Sequence, residues 1–98
     1  NWASENPEKV SCIYGDAPVC DIRSWPGGKG KGKGGGSAWK AALKAHRITD
    51  EESKSAKVSP IYKLKPIADA GIPILHVVGA TDKVVPVDEN SEIIEKKI

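Results

Sequence analysis

The sequence predicts an α/β chain with two parallel strands, near residues 10–14 and 73–78, flanked by helices and interrupted by a glycine-rich loop. Three observations carry this. Val10-Ser11-Cys12-Ile13-Tyr14 and Pro73-Ile74-Leu75-His76-Val77-Val78 are short, apolar and partly β-branched, as strands are. The long stretch between them reads as mostly helical, and strands separated in this way run parallel through a right-handed crossover. The second run is apolar on both faces, as expected where helices cover both sides of a sheet.

The elements follow in order. Asn1 to Asn6 reads as the tail of a helix stopped by Pro7, and Glu8-Lys9 leads into the first strand, which Gly15 ends. Asp21 to Pro26 is irregular. Residues 27–36 hold seven glycines interleaved with Lys29, Lys31 and Lys33. Such a run has too little apolar surface to order itself, which predicts a flexible, solvated loop. Ser37 is the expected N-cap of a helix over Ala38 to His46. Thr49 and Glu52 have the spacing of a capping box and predict a short helix to about Ala56. Ser59-Pro60-Ile61-Tyr62 starts a turn. Lys65 to Ala70 forms one or two helical turns, with Pro66 near the start and Gly71 as the stop. The last helix is expected over Asp88 to Lys97, with Asp88 at its N-cap. No internal repeat is visible.

Composition narrows the partners. The 98 residues make one domain at most, and the formal net charge of +2 gives no global attraction to nucleic acid or an anionic membrane. No apolar stretch approaches the roughly 20 residues that span a bilayer. The chain opens on Asn1-Trp2 rather than Met, so a piece of a longer translation product is expected, and the compartment stays open. Cys12 and Cys20 lie about 26 Å apart if the intervening chain is extended, beyond disulfide reach, although a turn at Gly15–Pro18 shortens the distance. Two buried free thiols are expected. Zinc held by these cysteines with His46 and His76 lacks the usual ligand spacing, and no cofactor is predicted.

Asp82 is the residue that carries chemistry. Strand two stops at Gly79, and three residues later a carboxylate follows, then Val84-Val85-Pro86. Open α/β sheets build their sites in the crevice at the carboxyl ends of strands. The G-x-x-D-x-x-V-P pattern resembles the acid-bearing strand and loop of esterase-like and prolyl-oligopeptidase-like α/β-hydrolases. Asn1 to Val10 resembles the end of the helix after the nucleophile elbow, and Ile13-Tyr14-Gly15-Asp16-Ala17-Pro18 the strand end beneath a cap. The resemblance implies a partial α/β-hydrolase domain over residues 1–98, with 19–64 a cap-like insertion and the two strands the sixth and seventh of the family's sheet. It further implies that Asp82 is the acid of a Ser…Asp…His triad, and that the whole enzyme is a serine hydrolase of small-molecule carboxylic esters. Asp16 and Asp21 are rival acids, since some hydrolases carry theirs after the preceding strand.

The departures matter as much. No G-x-S-x-G occurs, so the strained turn that exposes a nucleophilic serine is absent from these 98 residues. The triad His is expected beyond Ile98. His76 lies mid-strand and reads as a core histidine with a hydrogen-bond partner; His46 reads as a surface residue. Trp25 and Trp39 flank the glycine run as loop anchors, or else as the wall of an acyl pocket. The chain is expected to self-associate or to join the remainder of its domain, since two strands leave open edges. A different class of function, a non-catalytic module whose Gly/Lys loop contacts an anionic partner, is the alternative.

Overall fold

The computed structural model describes residues 1–98 and has the predicted α/β character. Two strands, β1 (Ile13–Asp16) and β2 (Ile74–Val77), pair in parallel with Ile13 opposite Ile74 and Gly15 opposite His76. Both are shorter than expected and β1 begins later. Pro7 opens a 3₁₀ turn through Lys9, and Val10, Ser11 and Cys12 follow outside the ladder. The pairing is closed at each end by Ile13 N–H to Pro73 O at 2.9 Å and Ala17 N–H to Val77 O at 2.8 Å. Gly15 does not end β1 but lies within it. A Cβ there would sit 2.9 Å from Pro18 Cγ and 3.0 Å from His76 Cδ2, so the missing side chain lets the chain turn back across the sheet.

The helices are α1 (Trp2–Glu5), α2 (Gly36–His46), α3 (Lys65–Asp69) and α4 (Ser91–Lys97). Ser37 is not the cap of α2; Gly35 holds that position, and the helix starts a residue before the serine. Its other end closes as a Schellman motif, with Ile48 N–H on Leu43 O at 3.1 Å and Arg47 N–H on Lys44 O at 3.2 Å. Arg47 takes the left-handed conformation at φ 57° that glycine usually fills. The capping box forms in both directions, Thr49 N–H to Glu52 Oε1 at 3.0 Å and Glu52 N–H to Thr49 Oγ1 at 3.1 Å, yet it launches only a 3₁₀ turn over Glu52–Lys54. Pro66 opens α3, and Gly71, at φ 67°, ends it as expected. The final helix is broken. A 3₁₀ turn covers Val87–Glu89, Asn90 leaves helical space at φ −131°, ψ −94°, and α4 starts after it. Asp88 therefore caps nothing; it pairs with Lys31.

One face of the sheet is covered and the other is bare. Cys20, Ile61, Leu64 and Ile94 form the core, with Ile74 and Ile93 packed against them. Tyr14, Leu75 and Val77 stand on the opposite face at 64%, 61% and 49% exposure. The expectation of helices on both sides of β2 is thus corrected, because no element of the chain reaches that face. The cysteines divide as well: Cys20 is buried and Cys12 exposed, both as free thiols. No helix is long and apolar enough to cross a membrane.

Candidate functional site

The carboxyl end of β2 leads directly into the loop that carries Asp82. The chain turns at Gly79, where Asp82 N–H donates to the Gly79 carbonyl at 3.0 Å. The Asp82 carboxylate then folds the following residues around itself. Its Oδ1 accepts the Val84 N–H at 2.9 Å and the Val85 N–H at 3.0 Å. This is an Asx turn, the local use to which aspartate is suited. Oδ2 has no donor within the chain, and the half-buried side chain lines an open cleft of about 620 Å³ with Lys31, Pro86 and Asp88.

The two rival acids differ sharply from it. Asp21 is buried and fully engaged: Arg23 reaches Oδ2 with Nη2 at 2.7 Å and Oδ1 with Nε at 2.9 Å, and Arg23 N–H adds a bond at 3.0 Å. Burial pushes its carboxyl up, and the Arg23 hydrogen bonds outweigh this and hold it below the ordinary value. An acid so occupied cannot orient a histidine. Asp16 ends β1 at the same end of the sheet as the Asp82 loop and is exposed.

His76 has the partner expected of it. Its Nδ1 lies 2.9 Å from Ser91 Oγ across the gap between β2 and α4. A cleft of about 490 Å³ opens beside the pair, floored by Ile74, Val78 and Ile94. Burial alone lowers the His76 pKa from its ordinary value near 6.5, which favours the neutral ring. A serine beside a neutral imidazole invites comparison with a catalytic pair, but no carboxylate hydrogen-bonds this histidine, so the triad constellation is not assembled here.

The Gly/Lys run is tied down by polar contacts that lie far away in sequence. Lys29 Nζ reaches Asp50 at 3.0 Å, and Trp39 Nε1 donates to the same carboxylate at 2.7 Å. Lys31 pairs with Asp88. Two of the three lysines read as available to an anionic partner are thus already neutralised. Trp25 packs its ring against Gly35, 3.7 Å from where a Cβ would stand, and neither tryptophan lines a cleft.

The residue that sequence reasoning missed is Asn90, 1% exposed. Its Oδ1 accepts Cys20 N–H at 2.8 Å and Asp21 N–H at 3.1 Å. Its Nδ2 donates to Ser24 Oγ at 3.1 Å and Pro86 O at 3.0 Å. One side chain therefore joins the exit of β1, the irregular segment after it and the end of the Asp82 loop. Only its place between an acidic pair and an apolar helix marked it, and that spacing carried no signal. Beside it, burial and the Asp21 charge push the Cys20 thiol up to about 11, so it stays protonated.

These groups predict acid lability in two stages. His76 has a lowered folded pKa, so below about pH 6.5 the unfolded chain binds the extra proton and stability falls. Asp21 also has a lowered folded pKa, so its contribution is present above about pH 3.8 and is lost as pH drops towards the folded value. Urea midpoints measured from pH 7 to pH 3 should fall in both ranges. His76→Gln should flatten the upper range only, and Asp21→Asn the lower one. A His76→Gln profile parallel to the parent between pH 7 and pH 5 would contradict the assignment.

No family model, curated protein or solved structure matches this chain.

Proposed function

We propose that these 98 residues are the acid-bearing portion of a serine hydrolase of the α/β-hydrolase type, one that cleaves small carboxylic esters. Asp82 is the triad acid in this reading. The observation that carries it is the divided use of the carboxylate. Oδ1 is spent on the Val84 and Val85 amides, which fixes the side chain, while Oδ2 has no donor and the group lines a cleft at the carboxyl end of a parallel strand. A triad acid needs this arrangement, because it holds the imidazole in one tautomer and stabilises the imidazolium without itself attacking substrate. In this reading the nucleophile and the histidine come from the remainder of the domain. The bare face of Tyr14, Leu75 and Val77 and the unpaired strand edges are covered, in this reading, by the remainder of the domain. The anionic-partner module is weaker, since Lys29 and Lys31 are already paired with Asp50 and Asp88.

A direct expectation concerns the chain by itself. It should not hydrolyse p-nitrophenyl acetate above the buffer rate, because an acid without nucleophile and base has no step to perform. A rate that survives purification and disappears in Asp82→Asn would contradict the proposed division of labour.

A further inference from the structure

The Gly27 to Gly36 run is the one motif of the sequence that neither the fold nor the proposed acid role accounts for. Its neck is closed backbone to backbone. Gly35 N–H donates to Pro26 O at 2.9 Å, and Gly28 and Gly34 take φ of 63° and 74°. A Cβ on Gly34 would stand 2.7 Å from Pro26 O, and one on Gly28 would stand 2.8 Å from Lys33 O. The two limbs meet with no room for side chains between them.

The tip is equally particular about what it touches. Lys31 N–H donates to Glu89 Oε2 at 2.7 Å, and Ser24 Oγ–H holds the other oxygen of that carboxylate at 2.7 Å. The Lys31 ammonium pairs with Asp88 on the same turn. Gly32, buried, lies against the loop beyond β2. A Cβ there would be 2.8 Å from Val84 O, 3.2 Å from Lys83 O and 3.3 Å from Pro86 Cδ. Val84 and Val85 are the residues whose amides hold Asp82 Oδ1. The run thus lies, without an intervening side chain, on the backbone that sets the Asp82 geometry.

We propose that the Gly27–Gly36 run is a strap that positions the Asp82 loop, with Gly32 as the contact and Lys31 as the anchor. The importance of that position rests on the acid role of Asp82; the strap itself is defined without reference to any reaction. The loop needs such support, because Thr81, Lys83 and Val84 are exposed and its internal hydrogen bonds all run through Asp82. Lys31 and Gly32 are accordingly positioning residues. The anchor is also salt-sensitive, since the Lys31 side chain is 72% exposed and its attraction to Asp88 is screened at high ionic strength.

Hydrogen–deuterium exchange of the 98-residue chain, read at single residues by mass spectrometry, tests the strap. In Gly32→Ala the Val84 and Val85 amides should exchange about tenfold faster, as expected where a local opening becomes easier. Lys31→Met should accelerate the same amides to a smaller extent, 1 M NaCl should mimic it, and Lys31→Arg should restore the parent rate. The amides of Ile13 and Ala17, which close the sheet on Pro73 O and Val77 O, should keep their rates throughout. Gly36→Ala is the control, because a Cβ there meets nothing within 4 Å. Unchanged Val84 and Val85 exchange in Gly32→Ala, or equal acceleration of Ile13 and Ala17 in both variants, would overturn the strap. Exchange needs no substrate, so this result is separate from the fate of the acid assignment, which Asp82→Asn tests in an active hydrolase.

Discussion

Replacing Asn90 with alanine is expected to remove about 3–5 kcal/mol of stability, a large part of the roughly 5–15 kcal/mol usual for small domains. The side chain is 1% exposed and uses all four of its hydrogen-bonding positions. Truncation leaves the Cys20 and Asp21 amides without their partner, and each orphaned buried group costs about 1–3 kcal/mol, while the Pro86 carbonyl keeps the Glu89 N–H at 3.2 Å. Ser24 keeps its bond to Glu89 at 2.7 Å, which limits the loss on that side. Asn90→Asp should fall between the two, since it keeps an acceptor for the amides but loses the donor and adds a buried charge beside Glu89. Urea unfolding followed by tryptophan fluorescence measures this. A loss below about 1 kcal/mol in Asn90→Ala would show that water replaces the network, and that Asn90 is not the joint described here.

The reason that Asn90 escaped the sequence is physical. Its partners Cys20, Asp21 and Ser24 lie 66 to 70 residues away, and nothing in the local pattern encodes them. The parallel pairing was legible because two apolar runs and a long helical excursion leave few alternatives. The local devices at Thr49–Glu52 and Pro66–Gly71 were legible because they act within a few residues. The strand limits were not, since Val10 and Cys12 have strand character but find no ladder partner. Gly15 reads as a stop because glycine commonly is one; here it answers a close approach of His76 that only the paired register creates. Leu75 and Val77 read as two-sided burial, yet no element of the chain reaches their face. The Gly/Lys run reads as unsupported because its support is ionic and distant, from Asp50, Asp88 and Glu89. Of the site, the Asp82 loop was visible in the spacing after β2, and the divided use of its two oxygens was not.

The larger expected effect is at Asp82 itself. On the proposed assignment, Asp82→Asn in the whole hydrolase should lower kcat for ester hydrolysis by about 10⁴-fold, because the amide would leave the triad histidine in the wrong tautomer. Binding should change far less, so KM should stay close to the parent value, and the fold should survive because Asn can still form the turn with the Val84 and Val85 amides. Asp21→Asn breaks the ties to Arg23 and should act through stability. Asp16 is the informative comparison, being an exposed acid at the same end of the sheet.

The decisive measurement is therefore the steady-state kinetics of Asp82→Asn and Asp16→Asn side by side. On the proposed assignment both are made in the whole hydrolase, with its nucleophile elbow and following histidine, and p-nitrophenyl acetate serves as substrate. The account predicts a parent that hydrolyses the ester, an Asp82→Asn variant that folds and has lost about 10⁴ in kcat, and an Asp16→Asn variant within about threefold of the parent. An Asp82→Asn variant that retains the parent kcat, or a loss that appears in Asp16→Asn instead, would contradict it.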